Sequence, residues 1–580
     1  MRWFFFLLLS CCAGCVVAQQ QKAVVQLNQA GFYPAWPKIA IVTGEPAGDR
    51  FFIVQAASRD TVFAGLLSQA RPSAYSSVTA RVADFSRLQQ EGDYDLLVPG
   101  AGGVALSIRR HAYHAVATGV LKGFYYQRSD MPLDKAFAGK WSRPAGHPDT
   151  AVLIHASAAD TRRPAGTVIR TPGGWYDAGD YNKYIVNSGI TMGTLFSAYE
   201  DFPTYFDTLQ TAIPESGDAL PDILDETIYN LRWMLTMQDR DGGVYHKCTN
   251  AAFDGMVMPG VTTLPRYVVQ KGTAATLDFA AVAAQAARVI RKFEKQLPGL
   301  ADSCLAAAQQ AWQWALLHPD VVYDQRVINP AYDPDITTGE YGDRFFHDEW
   351  LWAAAELFAA TGKKGYHTVL EQRMKDRVQL PGWSQVGMLG YYTLVRNEKA
   401  LPAYSTGMVH GARDSILIRA DEYLEKAKTN AFATVMGQSA RDFVWGSNAV
   451  AANQGMLLLM AYRLSGKRQY LEGALSNADY LLGRNATGYC FVTGYGTRSP
   501  VHPHHRPSVA DGIAEPVPGL LAGGPNPGRQ DHCTYAFTEP ETAYTDDDCS
   551  YASNEIAINW NAPAVYLLNA LEALAAQGRR

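Results

Sequence analysis

The stretch GGWYDAGDYNKY, residues 173–184, decides how this chain is interpreted. It places Asp177 and Asp180 three positions apart, with glycines before and between them. Two carboxylates in one turn can be aimed at the same water, so that one takes its proton while the other holds its second hydrogen. Taken alone, Asp-x-x-Asp in such a turn is more often a helix cap or a calcium ligand. The aromatic residues of the stretch are Trp175, Tyr176, Tyr181 and Tyr184.

The composition is typical of a folded protein with a neutral ligand. A length of 580 residues predicts about two to four domains. Aromatic residues make up 11% and charged residues only 18%, which disfavours disorder and favours an aromatic-rich surface or cleft. The net charge is −5 and no run of Lys or Arg exceeds a pair, so the usual attraction to nucleic acid and anionic membranes is missing.

The N-terminus has the features of a signal peptide. One arginine precedes an apolar run from Trp3 to Leu9, and small residues follow up to Ala18. We therefore predict a signal peptide over residues 1–18 and a secreted or periplasmic protein. Cys15 faintly resembles the cysteine of a lipoprotein box, so an outer-membrane lipoprotein is an alternative. No later stretch is long and apolar enough to span a bilayer.

The cysteines allow only a sparse disulfide framework. Three of the eight lie in the predicted leader, and the five that follow contain no C-x-x-C pair. In an oxidising compartment Cys533 and Cys549 could close a short surface loop. Unpaired buried thiols are an equally good interpretation.

The chain consists of two regions with different patterns of apolar residues. Residues 22–110 contain short β-branched or aromatic runs between turn residues, which predicts a small β-sandwich. Over residues 111–580 apolar residues recur with a helical period, and we expect helices without intervening strands. The predicted strands are KIAIVTG (38–44), RFFIVQA (50–56), SVTARVADF (77–85) and GDYDLLVPG (92–100), and the predicted helices include residues 221–243, 274–293, 303–319, 348–362, 453–466, 470–483 and 562–577.

Many amphipathic helices without strands must bury their apolar stripes on one another, as a bundle, a solenoid or a closed ring of helix pairs. No fixed repeat period is visible, which disfavours the solenoid. In a closed ring the first and last helices are neighbours. Residues near 180 and near 555 could then meet on one face.

Two further segments concentrate polar side chains in aromatic, glycine-bearing surroundings. FVTGYGTRSPVHPHHRPS, residues 491–508, is a loop stiffened by proline. AYTDDDCSYASNEIAINWNAP, residues 543–563, precedes the final helix. Their charged and histidine side chains include His502, His504, His505 and Arg506 in the first segment, and Asp546, Asp547, Asp548 and Glu555 in the second.

Carboxylates drawn from distant parts of a chain suit glycoside hydrolysis. One acid protonates the leaving oxygen, while a carboxylate activates water or attacks the anomeric carbon. Each segment alone has a simpler interpretation: a solvated or calcium-binding loop for the aspartates, a metal site for the histidines, or a favourable N-terminal charge for Glu555. The coincidence of all three segments favours catalysis, with the surrounding rings, Trp175 among them, stacking on sugar faces.

Together the three segments resemble the signature regions of the family 9 glycoside hydrolases, the inverting cellulase family. LNQAGFYPAWPKIAIV, residues 27–42, resembles the start of the immunoglobulin-like module that often precedes that catalytic domain. Residues 338–362 resemble the interior of the family. The resemblance implies an N-terminal Ig-like β-sandwich over residues 22–110 and an all-α (α/α)6 barrel over residues 111–580.

The resemblance also implies roles for individual residues. Asp180 would be the general base, with Asp177 helping to hold the water, and Glu555 would be the general acid. The acidic position of the last signature, which would support the site, is Asp546. The residues that would contact sugar are His504 and Arg506 beside the scissile bond, and Tyr551 and Trp445 as stacking residues.

The sequence makes a weak case for bound metals, and the expected chemistry requires no cofactor. Many relatives with the Ig-like module carry a Cys/His zinc site. The corresponding stretches here, QRSDMP (127–132) and AGHPDT (145–150), contain no cysteine, so we expect no zinc. Calcium could bind around Gly339, Asp343 and Asp348, although helix capping explains the same residues equally well.

The sequence therefore predicts a secreted, monomeric, inverting β-1,4-glucan hydrolase of the endoglucanase or cellulase type, acting on β-glucan oligo- or polysaccharides. One alternative is an exo-acting β-glucosidase or glucosaminidase of the same family, in which Gly512–Thr542 closes one end of the cleft. A non-catalytic carbohydrate-binding protein is disfavoured, because it would have lost the acids that stand here.

Overall fold

The computed structural model describes residues 22–374 and 378–577. The predicted signal peptide, with Cys15, lies outside the described residues. Within them an N-terminal β-sandwich precedes a larger helical domain. No helix in this described part is long and apolar enough to cross a membrane.

The sandwich is built from the strands β1 (Val24–Gln26), β2 (Ile39–Thr43), β3 (Arg50–Gln55), β4 (Thr61–Leu66), β5 (Arg71–Pro72), β6 (Thr79–Asp84), β7 (Gly92–Val98) and β8 (Gly102–Ile108). They form two antiparallel sheets with the orders β1-β2-β6-β5 and β4-β3-β7-β8. Alternate residues such as Ala40 and Val42 in β2, or Phe51 and Ile53 in β3, meet in one core. The four predicted strands are confirmed as β2, β3, β6 and β7.

The helical domain contains all the helices that we predict from apolar periodicity. Its helices are α1 (His114–Tyr126), α2 (Lys135–Ala138), α3 (Ile185–Asp201), α4 (Pro203–Phe206), α5 (Asp222–Thr236), α6 (Thr273–Ile290), α7 (Leu300–Leu317), α8 (Gln325–Ile328), α9 (His347–Thr361), α10 (Lys364–Arg373), α11 (Gly387–Arg396), α12 (Thr406–Ala427), α13 (Ser447–Ser465), α14 (Arg468–Leu481), α15 (Arg506–Ala510), α16 (Tyr551–Asn554) and α17 (Ile558–Gln577).

The long helices pack on one another in a circuit. α3 packs against α6 and α17, α6 against α9, and α9 against α11. α11 contacts α12, α12 contacts α13, and α13 packs against α17. Buried alanines on the contact faces, such as Ala280 and Ala284 in α6, permit this close approach. The last helix therefore lies beside an early one, as a closed ring of helix pairs predicts.

Five short strands interrupt the helices in the described chain, so the expectation of helices without strands after residue 111 is wrong. They are β9 (Val152–Ile154), β10 (Val168–Ile169), β11 (Lys183–Tyr184), β12 (Lys247–Asn250) and β13 (Arg266–Val268). They form a sheet with the order β10-β9-β13-β12-β11. Strands of two to four residues are too short to show an alternating pattern, which is why periodicity misses them.

Polar contacts fasten the sandwich to the helical domain. Asn28 Nδ2 donates to Asp479 Oδ1 at 2.6 Å, and the Tyr33 hydroxyl donates to Glu572 Oε1 at 2.6 Å. Both pairs are buried, so water does not compete for these hydrogen bonds. The two domains are therefore joined by hydrogen bonds as well as by apolar packing.

The cysteines follow both interpretations that the sequence leaves open. A disulfide joins Cys533 and Cys549. Cys248, Cys304 and Cys490 are buried free thiols. The disulfide closes the loop that precedes α16.

Candidate active site

The three polar segments meet beside the N-terminal ends of α3 and α17. Ala178 forms an isolated β-bridge with Ala557, and His504 forms one with Glu555. Gly179 lies so close to the histidine loop that a Cβ atom would stand 2.1 Å from the His504 carbonyl oxygen. Only glycine fits there. Main-chain contacts therefore bring the segments together, as the predicted meeting of residues near 180 and 555 requires.

The meeting loops line a cleft of about 340 Å³. Asp177, Asp180 and Glu555 all line it. Aromatic side chains surround these carboxylates, which gives the cleft a mainly apolar wall with acids at its centre. The other lining residues are Ala178, Tyr184, Phe253, Gly339, Glu340, Tyr341, Trp383, Trp445, Ala557, Asn559 and Trp560.

Asp180 is held by side chains of its own segment. Asn182 Nδ2 donates to Asp180 Oδ2 at 2.5 Å, and the Tyr184 hydroxyl donates to the same oxygen at 3.2 Å. No donor among the described residues binds Asp180 Oδ1. One oxygen is thus fixed in place while the other is free to accept a proton, which is the geometry that a general base requires.

Asp177 is buried more deeply and is held from two elements. Asn187 of α3 donates to its Oδ1, and the Tyr341 hydroxyl donates to its Oδ2 at 2.8 Å. Burial and then the charge of Asp180 raise the pKa of Asp177 to about 8, although both hydrogen bonds oppose this shift. Below that pH Asp177 is therefore mainly protonated, which reduces the repulsion between the two neighbouring carboxyl groups.

The surroundings of Glu555 favour the protonated form of its carboxyl group. Burial, followed by the charges of Asp180 and Asp177, raises its pKa well above the usual range, and Arg506 opposes the shift. No side chain among the described residues donates a hydrogen bond to its carboxyl group. A hydrogen bond with the Gly179 backbone also opposes the shift, but the net effect favours the protonated form of Glu555, the form that can deliver a proton.

His504 and Arg506 hold the cleft loops from behind rather than lining the cavity. Arg506 donates from Nη1 to the Gly179 carbonyl at 2.8 Å and from Nε to the Asp254 carbonyl at 3.0 Å. His504 Nδ1 is 2.6 Å from the Asp548 carbonyl oxygen. Both side chains are thus oriented by backbone oxygens, and their contact with sugar stays a prediction.

Asp546 binds the histidine loop instead of entering the cleft. It accepts from the backbone N–H groups of Val501 and His502, each at 2.9 Å, and from Asn554 Nδ2 at 3.2 Å. Asn554 immediately precedes Glu555. Asp546 therefore links the second and third segments, which agrees with a supporting role.

Aromatic rings lie on both sides of the carboxylates. Trp445 is 44% exposed, and its ring centroid is 5.4 Å from that of Tyr551, beside the Glu555 segment. Trp383 stands edge-on to Tyr341 at 5.4 Å, beside the aspartates. Both tryptophans line the cavity, so each offers a ring on which a sugar can stack.

The prediction that Trp175 stacks on sugar is wrong. Trp175 is fully buried, its indole N–H donates to Glu226 Oε2 at 3.2 Å, and its ring packs against Phe124. Tyr176 and Tyr181 are also buried. These rings point from the turn into the core. Closeness in sequence to the aspartates therefore does not determine where a side chain points.

Several lining residues escaped sequence reasoning. Trp383 lies in a loop with Pro381 and Gly382, a composition that could have identified it. Phe253 precedes a glycine-bearing loop, and Asn559 and Trp560 stand within the third segment itself. Their direction into the cleft depends on tertiary contacts and not on a motif.

A second group of acids lies near the cleft, without forming an evident metal site. Asp278 is fully buried, and neither of its carboxyl oxygens has a hydrogen-bond partner. Its pKa is raised by burial and then by the charges of Asp348 and Asp343. Gly339 does not join them, because its carbonyl accepts from the Lys247 ammonium. In the described chain no set of three His, Cys, Asp or Glu side chains is arranged to hold a metal. Calcium binding and the absence of zinc stay predictions.

A β-sandwich joined to a circuit of helices, with two aspartates and a glutamate in one aromatic cleft, fits a glycoside hydrolase with an accessory Ig-like domain. Residues 113–568 match the profile of glycosyl hydrolase family 9. Residues 20–103 match that of the cellulase N-terminal Ig-like domain. The chain therefore belongs to glycosyl hydrolase family 9, as its motifs indicate, and it is an enzyme.

Known relatives align with the chain over most of its length. A xyloglucan-specific endo-beta-1,4-glucanase of Bacteroides ovatus is 46% identical over 553 residues, which cover 95% of this chain and 94% of that protein. Endoglucanase D of Acetivibrio thermocellus is 33% identical over 552 residues, covering 94% and 82%.

Solved structures agree with these alignments. A Bacteroides ovatus family 9 structure matches with a TM-score of 0.91 at 45% identity and covers 95% of this chain and 99% of that one. A metagenome-derived family 9 endoglucanase matches with a TM-score of 0.86 at 32% identity, with the same coverage. The two-domain arrangement is therefore shared with known members of the family.

Proposed function

We propose that the protein is an inverting endo-β-1,4-glucanase whose helical domain is an (α/α)6 barrel with the cleft on its loop face. The observation that carries this proposal is the convergence of Asp177, Asp180 and Glu555 in one aromatic cleft. These residues come from two loops some hundreds of positions apart, which fits a reaction needing acids on two sides of one bond.

In the proposed reaction Asp180 accepts a proton from a water molecule through Oδ1, while Asp177 holds the second hydrogen of that water. The water oxygen forms a bond to the anomeric carbon as the bond to the leaving oxygen breaks. Glu555 gives its proton to the leaving oxygen, which takes the electron pair of the broken bond. Attack from the face opposite the leaving group inverts the configuration at the anomeric carbon.

The proposed substrate contacts place sugar rings on the two tryptophans. Trp445, backed by Tyr551, would hold a ring on the Glu555 side, and Trp383 would hold one beside the aspartates. His504 and Arg506 would contact the sugar next to the scissile bond. Asp546 would act indirectly, by fixing the loop that carries the histidine.

Cleavage inside a chain is favoured over removal of terminal sugars. No residue of Gly512–Thr542 lines the cavity. Part of this segment instead contacts the backbone of Glu555, because the Gly523 N–H donates to the Glu555 carbonyl oxygen at 2.8 Å. Digestion of cellohexaose tests this directly: mixed oligomers support the endoglucanase, and glucose as the sole early product supports the exo-acting alternative.

Xyloglucan is the substrate that we propose among the β-glucans. The support is the Bacteroides ovatus relative, a xyloglucan-specific enzyme that aligns with nearly the whole chain. We expect kcat/KM to be at least about tenfold higher on xyloglucan than on carboxymethylcellulose, a difference in transition-state binding of about 1.4 kcal/mol. Equal rates on the two polymers would leave the enzyme a general β-1,4-glucanase.

Inversion is tested by the anomeric form of the first product. Proton NMR spectra recorded directly after mixing should show the α-anomer before mutarotation. A β-anomer would require a covalent glycosyl-enzyme and would contradict the assignment of Asp180 as a base.

We also propose that the protein is exported, because the N-terminal residues resemble a signal peptide, and that it acts as a monomer. The destination is the medium, the periplasm or, through Cys15, the outer membrane. Fractionation of cells that express the wild type or Cys15→Ser separates these outcomes. A membrane-bound wild type with a released variant indicates the lipid anchor.

A further inference from the structure

Lys247 is a buried cation behind the cleft that the proposed reaction does not use. Its side chain is fully buried, and it pairs across β12 and β11 with Tyr184. Its Nζ donates to neutral oxygens: Gln325 Oε1 at 2.7 Å, Thr338 Oγ1 at 2.9 Å and the Gly339 carbonyl at 2.7 Å. No ion pair of Lys247 occurs among the described residues.

A neighbouring buried lysine differs from Lys247 because it has a carboxylate partner. Lys183, on β11, is also fully buried, but its Nζ forms an ion pair with Asp149 at 2.7 Å. Burial lowers the pKa of Lys247 well below its usual range, and the charges of Asp180 and then Glu340 oppose this shift. A buried lysine without an ion-pair partner is costly unless its hydrogen bonds are satisfied. The neutral oxygens around Lys247 are therefore bound tightly to it, and it holds the segment that supplies them.

The segment held by Lys247 leads directly to Tyr341. Lys247 binds the carbonyl of Gly339, and the preceding residue, His246, lies with Nε2 2.8 Å from the carbonyl oxygen of Glu340. Burial lowers the pKa of His246 to about 3, so the ring is neutral and donates this hydrogen bond from Nε2. Two consecutive side chains thus fix two consecutive peptide groups immediately before Tyr341.

Tyr341 needs this support because its backbone is strained. Its φ of 45° lies in the left-handed region, which is unusual for an aromatic residue. Such a conformation persists only where the surroundings enforce it. In this conformation the Tyr341 hydroxyl donates to Asp177 Oδ2 at 2.8 Å.

We propose that Lys247 is a positioning residue for the aspartate pair. It fastens the turn formed by Thr338, Gly339 and Glu340, so that the Tyr341 hydroxyl stays on Asp177. The proposal rests on the proposed function, because it assumes that Asp177 and Asp180 activate the water. Lys247 itself touches neither the substrate nor the reacting atoms.

The primary test replaces the ammonium with an apolar group of similar length. We expect Lys247→Met to lower kcat by about 30-fold to 100-fold, since displacement of catalytic groups by about 1 Å has effects of this size. KM for cellohexaose should rise by no more than about threefold, because Trp445 lies on the other side of the cleft and only Trp383 packs against Tyr341.

Lys38 provides a matched control in the sandwich. It is fully buried, and its Nζ donates to the backbone carbonyls of Tyr33, Pro34 and Trp36 at 3.3, 2.7 and 2.8 Å. Lys38→Met removes the same kind of buried ammonium far from the cleft. We expect it to lower Tm as Lys247→Met does while kcat stays within about twofold of the wild type.

A double-mutant cycle tests whether Lys247 acts through Tyr341. In a Tyr341→Phe background the hydroxyl is already gone, so Lys247→Met should lower kcat by less than about threefold further. Equal fold losses in both backgrounds would overturn the proposal, as would an unchanged kcat in Lys247→Met alone. A loss of kcat in Lys38→Met equal to that in Lys247→Met would show that lost stability is the cause.

Failure of this inference can be told apart from failure of the proposed function. If Glu555→Gln abolishes turnover of cellohexaose while the cycle is additive, the catalytic assignment stands and only the role of Lys247 is wrong. If Glu555→Gln is active, the assignment of the acids fails whatever Lys247 does.

Discussion

The carboxyl groups on the two sides of the cleft differ in the number of side chains that donate hydrogen bonds to them. On the aspartate side, four side chains donate to the carboxylates: Asn182 and Tyr184 to Asp180, and Asn187 and Tyr341 to Asp177. On the glutamate side, no side chain among the described residues donates to Glu555. Hydrogen-bond donors favour the ionised form of an acid, and burial without them favours the neutral form.

In the proposed reaction this difference would let three acids in one cleft serve as a base pair and a proton donor. The donors to Asp177 oppose the rise of its pKa without cancelling it, and the charges of Asp180 and then Asp177 raise the pKa of Glu555. The two sides are therefore electrostatically dependent on each other. Changes on either side should reveal that dependence, and the expected effects differ in size.

The largest effect is expected from the proton donor. Glu555→Gln should lower kcat on cellohexaose by about 10⁴-fold, because the amide cannot protonate the leaving oxygen. A 2,4-dinitrophenyl cellobioside, whose leaving group needs no proton, should lose less than about tenfold in the same variant. Steady-state rates on both substrates test this, and a near-wild-type rate on cellohexaose would end the assignment.

The proton acceptor should behave differently. Asp180→Asn should lower kcat by about 10³-fold on cellohexaose and on the dinitrophenyl glycoside alike, because water must be activated whichever group leaves. The ratio of the two losses is the measurement. If Asp180→Asn, like Glu555→Gln, lowers kcat on the dinitrophenyl glycoside by less than about tenfold, the aspartate and the glutamate do not have separate roles.

The aromatic residues should affect binding more than chemistry. Trp445→Ala on the glutamate side should raise KM for cellohexaose by about tenfold, equivalent to about 1.4 kcal/mol, with kcat within about twofold. Trp383→Ala should do the same on the aspartate side. Trp175→Phe is the contrasting variant: we expect a lower Tm and an unchanged KM, because this ring lies in the core.

The electrostatic link between the sides predicts a shift in pH dependence. Activity requires protonated Glu555, so kcat/KM should fall as the pH rises through the raised pKa of this residue. Asp177→Asn removes the negative charge that Asp177 acquires above its pKa of about 8, and that charge raises the pKa of Glu555. The alkaline limb should therefore move to lower pH, by up to about one unit. A limb that moves upwards or stays fixed in the pH–rate profile would disprove the coupling.

The smallest effect concerns the second group of acids. Asp278 and Glu349 are buried with carboxyl oxygens that lack hydrogen-bond partners, and a bound cation would relieve their repulsion. Millimolar calcium should raise Tm by about 2 to 5 °C, and Asp278→Asn should remove most of this gain. Magnesium serves as the control ion. An identical Tm with calcium or chelator would dismiss the calcium prediction.

Sequence reasoning succeeded where the pattern is local or where a motif is long. Four strands of the sandwich and seven of the helices follow from alternation and from the helical period. The meeting of the aspartates with Glu555 in one cleft follows from extended motifs, while their catalytic roles stay predictions. It failed for the short strands β9 to β13, which are too brief to show a period. It also failed for Trp175, because a residue in a turn can point to either side and only packing decides which.

The sequence by itself determined the division into a sandwich and a helical domain, several long elements of each, and the chemical groups available for catalysis, because periodicity and residue type act over a few neighbouring positions. Tertiary structure alone decided which of those groups share a cleft, which rings face it and which acid keeps its proton. The physical reason is that pKa values and side-chain directions depend on burial, on charges and on donors contributed by distant segments. Asp177 illustrates this: its strained partner Tyr341 and the buried Lys247 reach it from other parts of the fold.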